Sequence, residues 1–232
     1  MEINSTFEGS FLTIGNELQY NSILSKWFFV PIGNQRLPIK PKLYSFPGGF
    51  KLNGKLINTI LSTRDKYEIW TTDADAILAH FYFIPRKEIL NRILSISEKP
   101  IIVTIDFDFI NPTGVLKLAK KIKSLGIGGL YIKRKFPNDV LEKICSEATV
   151  PVFAASSADI DEITSKINTG VYAVCFAGKD ISTELTKLLH NTFPNNPVLA
   201  VCNKSEKQMQ NSVKSGVDAL IFRPCVPFVY LH

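Results

Sequence analysis

From Pro100 onward the chain alternates short apolar, β-rich runs with amphipathic stretches of helical length, and this period restricts the fold more than any other feature. The runs are IIVTIDF, GGLYIK, VPVFAA, VYAVCFA, VLAVC and DALIF, with helices expected to begin near Thr113, Pro137, Ala158, Ser182 and Ser205. Asp180 or Ser182 and Ser205 suit N-caps, and Gly126, Gly170 and Gly216 stand where helix C-terminal glycines belong. Strands that are apolar on both faces and separated by helices imply a parallel sheet with right-handed crossovers.

The first hundred residues are less regular. ADAILAHFYFI reads as a further strand, Ala76 to Phe81, followed by a helix from Pro85 or Arg86 to about Ile96. Before it, NGKLINTILSTRDKYEIW has helical spacing at Leu56, Ile57, Ile60 and Leu61, and PKLYSF or WFFVPI is expected to supply the strand that feeds this helix. One strand there, Ala76 to Phe81 and the six later runs make eight, the count of a closed (β/α)8 TIM barrel. The fold class expected is therefore α/β: one barrel domain over residues 1–232, with an irregular segment at 1–50 and regular repeats at 51–232. The rival, an open doubly wound sheet, lacks any G-x-G-x-x-G or P-loop turn after a strand.

At 232 residues and 45% hydrophobic content the chain can bury the core that such a barrel needs. Only CVPFVYLH follows the last strand, so residues near Leu18 to Lys26, or a second subunit, are expected to take the place of a final helix. The apolar Val226, Phe228, Val229 and Leu231 make a homodimer one way of burying that tail. The net charge of +6 is spread along the chain, apart from Lys133-Arg134-Lys135 and a basic run at 120–123. Without a basic patch interleaved with aromatics, a small anionic metabolite fits the charge better than nucleic acid.

Cys145, Cys175, Cys202 and Cys225 form no C-x-x-C pair, and the last three lie in apolar runs. A reduced, cytoplasmic setting is the expectation. No cationic and apolar leader opens the sequence and no apolar run reaches ~18 residues, so neither a signal peptide nor a membrane span is expected.

The Val150-Pro151-Val152 strand with Ala154, and later Gly216-Val217-Asp218-Ala219, resemble the second half of phosphate-binding (β/α)8 barrels over about residues 149–224. That resemblance implies an anion bound after the seventh and eighth barrel strands. The backbone glycines that cradle phosphate there are replaced by Asn203-Lys204-Ser205 and Arg223-Pro224-Cys225. An anion held by the side chains of Lys204 and Arg223 is the form such a site would take.

Candidate chemistry gathers where the strands end. In IIVTIDFDF, alternation sends Val103, Ile105 and Phe107 toward helices and leaves Thr104, Asp106 and Asp108 inward, the aspartates at the C-terminal mouth where barrel active sites lie. Tyr131 and Lys133 face inward on the next strand, ~4.8 Å away, which brings Lys133 within reach of Asp106 or Asp108. Loops at the same mouth would present Ser156, Ser157, Lys179, Asn203, Lys204 and Arg223 to a small polar anion.

Three chemistries fit. In a Schiff-base lyase or aldolase, Lys133 or Lys179 is the nucleophile and Asp106 the general acid and base; a free lysine is protonated near ~10.4, so neighbouring cations such as Arg134, Lys179 or Lys204 would favour the reactive amine. Asp106 and Asp108 could instead hold Mg2+, which takes one or two carboxylates plus substrate oxygens, although D-x-D is a weak signal; no other cofactor is indicated. In an isomerase, one aspartate is the base opposite a second acid. The bland reading gives each aspartate only a loop cap or a salt bridge. His80, at a strand end, is either a substrate-touching base or a packed, hydrogen-bonded residue beside Phe81 and Tyr82. No G-x-S-x-G elbow supports a hydrolytic triad, and Cys225 is the one cysteine placed for reactivity. The reading is an enzyme acting on a small phosphorylated or carboxylated metabolite, a lyase, aldolase or isomerase; its rival is a metabolite-binding barrel without catalysis.

Overall fold

In the computed structural model the residues described are Phe46, 48–64, Ile69, Thr72, 74–82, 84–105, 112–133, 135–202 and 206–223. The N-terminal segment 1–45, Asp106, Asp108, Arg134, Asn203, Lys204 and Cys225 lie outside them, as does the tail that a dimer was expected to bury.

Eight parallel strands close into a barrel: β3 (Thr59–Thr63), β4 (Ala76–Phe81), β5 (Ile101–Ile105), β6 (Gly129–Ile132), β7 (Val152–Ala155), β8 (Ala173–Ala177), β9 (Val198–Cys202) and β10 (Ala219–Phe222). They neighbour one another in chain order, and β10 pairs with β3 to complete the ring. Among the described residues six helices follow strands β4 to β9: α1 (Lys87–Ile96), α2 (Pro112–Lys123), α3 (Asn138–Ala148), α4 (Ile160–Asn168), α5 (Thr183–Thr192) and α6 (Glu206–Lys214). The expected α/β barrel is thus the observed one, and the strand expected at Ala76 to Phe81 has those bounds.

The first barrel strand differs from expectation. Leu56, Ile57, Ile60 and Leu61 do not lie on a helix; a two-stranded antiparallel hairpin of β1 (Phe50–Leu52) and β2 (Lys55–Ile57) runs straight into β3. The signal was the Asn53-Gly54 pair, whose φ angles of 50° and 77° make the tight hairpin turn that matches strand twist. Ile57, Thr59, Ile60 and Thr63 are also β-branched, which favours the pleated state over a helix.

Two apolar layers follow from strand alternation. Leu61, Ile77, Val103, Leu130, Ile132, Val152, Val174 and Leu220 face the helices. Ile60, Leu78, Ile102, Tyr131, Phe153, Cys175, Leu199 and Ile221 fill the barrel. Residues facing both layers are nearly all buried, which is why these strands read as continuous apolar runs. Phe50, Leu52 and Ile57 of the hairpin join the inner layer. Phe50 packs against Phe153 and Tyr172 with ring centroids 5.8 and 6.1 Å away, and so stoppers the N-terminal end of the barrel.

Carboxylates one residue ahead of two strands fasten that same end. Asp75 Oδ2 accepts hydrogen bonds from the backbone N–H of Asn58 and Thr59 and from the Thr59 hydroxyl. Asp218 Oδ2 accepts from Val198 N–H at 2.8 Å and faces His190 Nε2 at 3.0 Å. The aspartate of the Gly216-Val217-Asp218-Ala219 motif therefore holds strands in register at the end opposite the mouth.

Helix boundaries follow the expected local chemistry. Ser182 caps α5 by accepting from Leu185 N–H, and Asp159 caps α4 through Asp161 and Glu162. Gly126, Gly170 and Gly216 all take the left-handed conformation after helices α2, α4 and α6.

Candidate active site

Four consecutive strands carry a polar layer above the apolar filling. Ser62, His80, Thr104 and Lys133 each lie two residues beyond an inner-layer residue, namely Ile60, Leu78, Ile102 and Tyr131. Period-two alternation therefore points all four inward at the C-terminal mouth. His80 joins two of the others. Its Nε2 lies 2.7 Å from Ser62 Oγ and its Nδ1 lies 3.1 Å from Lys133 Nζ.

If Lys133 donates to Nδ1, a neutral ring carries its hydrogen on Nε2 and donates it to Ser62 Oγ. The ring is 8% exposed and Ser62 is buried beside it, while Lys133 stands exposed and reaches the ring from the solvent side. Such an arrangement can move a proton from the lysine amine to the imidazole, which is what a nucleophilic lysine requires.

Thr104 stands on β5, the strand between His80 and Lys133, directly paired in register with His80. It is wholly buried and its Oγ1 has no hydrogen-bond partner. Ser156, just after β7, continues the ladder by donating its N–H to Cys175 O at 2.9 Å, and its Oγ is likewise buried and unmet. An unsatisfied buried hydroxyl costs about 1–3 kcal/mol, so two at one end of the barrel mark a place built for something other than stability.

The loop that carries Ser156 is pinned from outside. Lys166 of α4 is 6% exposed, donates to Ala155 O at 2.6 Å and pairs with Glu162. Ser157 donates to Glu162 at 2.6 Å, and Lys135 comes within 3.8 Å of it. The Lys166 hydrogen bond, reinforced by that from Ser157, holds the Glu162 carboxyl at about 2.

Of the residues anticipated from the sequence, His80 and Lys133 come together, and Ser156 sits on the neighbouring rim. Lys179, after β8, and Arg223, after β10, stand exposed at the ends of their own strands. Asp106, Asp108, Asn203 and Lys204 lie outside the described residues, and with them the expected meeting of Lys133 with an aspartate; Lys133 meets His80. Among the described residues no group of three histidine, cysteine, aspartate or glutamate side chains could hold a metal ion. Ser62 was missed because its segment was read as helical. Arg64 was missed for the same reason; it donates to Tyr82 Oη at 2.9 Å, with its guanidinium 4.5 Å from that ring's centre. This pair repeats the Ser62 and His80 rung two residues farther out.

No protein-family model matches the chain, and no curated protein matches its sequence. Solved structures do match its fold. A type I 3-dehydroquinate dehydratase from Clostridium difficile, with covalently modified comenic acid, superposes with a TM-score of 0.61 at 15% identity, over 78% of this chain and 92% of that one. A 2,3-dimethylmalate lyase of the PEP mutase/isocitrate lyase superfamily gives 0.56 at 12% identity, over 72% and 75%. An oxaloacetate acetylhydrolase in complex with oxalate gives 0.55 at 12% identity, over 72% and 75%. At these identities the likeness is one of fold: the chain is a (β/α)8 barrel. Among the described residues no helix is long and apolar enough to cross a membrane.

Proposed function

We propose that the protein is an enzyme that binds a small carboxylated carbonyl compound at the barrel mouth and processes it, as a lyase or isomerase, through an imine on Lys133. The observation that carries this reading is the 3.1 Å approach of Lys133 Nζ to His80 Nδ1, on a ring that is itself buried. His80 takes the proton that Lys133 must lose, and Ser62 fixes the ring by its bond to Nε2. A protonated imine then withdraws electrons from the adjacent carbon, which eases either cleavage of a carbon–carbon bond or removal of a proton. Lys179 and Arg223 provide positive charge at the rim for the substrate's carboxylate or phosphate, with Ser156 a hydroxyl beside it, and the reading gives Lys204 a charged role and Asn203 a hydrogen-bonding one toward the same group. The fold neighbours named above include a lyase and a dehydratase, and one was solved with oxalate, which supports a carboxylated ligand.

The test is borohydride reduction in the presence of pyruvate, oxaloacetate and longer 2-oxo acids, followed by peptide mass mapping. A mass gain on Lys133 that vanishes in Lys133→Met supports the reading. A gain on Lys179 alone, or none with any acid, removes it. The rival, a metabolite-binding barrel without catalysis, draws on the loss of glycine at Asn203-Lys204-Ser205 and Arg223-Pro224-Cys225. It predicts saturable binding of the same acids with no turnover.

A further inference from the structure

Among the described residues, the Thr104 hydroxyl is the one polar group of the inward layer on β3 to β6 that makes no hydrogen bond, although it is fully enclosed. Valine would fill the same space without leaving an oxygen unmet. Its place is specific: β5 runs between the strands of His80 and Lys133, Thr104 pairs with His80 in register, and both share the inward face. Lys133 must reach across β5 to meet His80, so a carbonyl carbon bonded to Nζ has its oxygen near the β5 side chain that faces inward.

We infer that the Thr104 hydroxyl binds the oxygen that leaves the substrate carbonyl when Lys133 forms its imine, an assignment that rests on the Schiff-base reading above. The proton balance is complete without any further reactant. Lys133 gives one proton to His80 Nδ1, and its neutral amine attacks the carbonyl carbon. A second N–H proton passes to the carbonyl oxygen, giving a carbinolamine with a neutral hydroxyl. The C–O bond then breaks as imidazolium returns its proton to that hydroxyl, which departs as water and leaves the protonated imine. Thr104 donates its hydroxyl hydrogen to the oxygen throughout and holds the same water for the hydrolysis that frees the product. A water so placed has His80 as its second polar partner, which a buried water needs.

The full chain is tested with pyruvate and oxaloacetate as probes, following the rate of mass gain at Lys133 under borohydride together with the melting temperature. Thr104→Val is expected to form the adduct roughly tenfold more slowly or worse, the factor one such hydrogen bond is worth. Its melting temperature should rise by about 2 °C because an unmet buried hydroxyl has gone. Thr104→Ser should keep the unaltered rate. A valine variant that forms adduct as fast as the unaltered protein overturns the assignment and leaves the Schiff-base reading intact. A valine variant that melts lower overturns it too, since the hydroxyl would then have a partner in the free protein. No mass gain in the unaltered protein removes both.

Discussion

Lys133 Nζ and His80 Nδ1 stand 3.1 Å apart although 53 residues separate them and β5 runs between their strands. Strands two apart in a sheet are roughly 10 Å from axis to axis, so only a long side chain bridges the distance. Lysine spends that reach on an imidazole whose other nitrogen is already committed to Ser62.

That commitment gives an order of effects. His80→Ala should slow adduct formation at Lys133 by about 10²–10⁴-fold, the usual worth of a placed proton carrier. Ser62→Ala, which loosens the ring without removing it, should cost about tenfold. Single-turnover rates under borohydride read both, and a serine effect as large as the histidine effect would contradict the assigned roles.

Acid should expose the clamp outside β7. Glu162 is held at about 2 in the folded protein by Lys166 and Ser157, below its ordinary 4.5, so its stabilisation is complete above the ordinary value and is lost as pH falls through about 2. Glu162→Gln should melt lower at neutral pH, by roughly 1–2 kcal/mol, between the worth of exposed and buried pairs. Its disadvantage should shrink toward pH 2. Melting temperature against pH, measured for both proteins, gives the comparison, and parallel curves would count against the clamp.

Three thiols should be silent. Burial raises Cys145 to about 11, pushes fully enclosed Cys175 higher still, and raises Cys202 as well. A buried thiol that stays protonated reacts slowly. In Cys225→Ser, Ellman's reagent at pH 8 should find no fast thiol until denaturant is added, whereupon all three appear.

Gly129 leaves no room for a side chain on β6. A Cβ there would sit 2.7 Å from Phe153 Cε2 and 3.1 Å from Pro151 O. Gly129→Ala must displace the ring that packs tilted against Phe50 and edge-on to Tyr172, so it should destabilise by about 1–3 kcal/mol in urea unfolding.

The barrel strands from β4 onward were legible because burial on both faces leaves no polar alternation to confuse them with surface strands or helices. The start of the barrel was not. Leu56, Ile57, Ile60 and Leu61 fit a helical face as well as they fit two short strands, and only the Asn53-Gly54 turn separates the two. Lys133 was legible as an inward residue from alternation alone, and His80 as a residue at a strand end. Their partnership was not, because it depends on a side chain crossing a strand. Ser62 could be seen only once its strand had been recognised.

The closure of the ring has its own consequence for the making of the protein. Asn58 beside β3 and Asp218 beside β10 meet across 160 residues, and β10 bonds to β3 on one side and β9 on the other. Until β10 is synthesised and docks, β3 and β9 both present bare, flat, apolar edges. Such edges recruit neighbouring chains, and contacts so far apart in sequence form slowly. The nascent chain thus passes through a stage in which it is sticky at two places at once, and its yield in a host should depend on chaperone supply and growth temperature more than on the stability of the finished barrel.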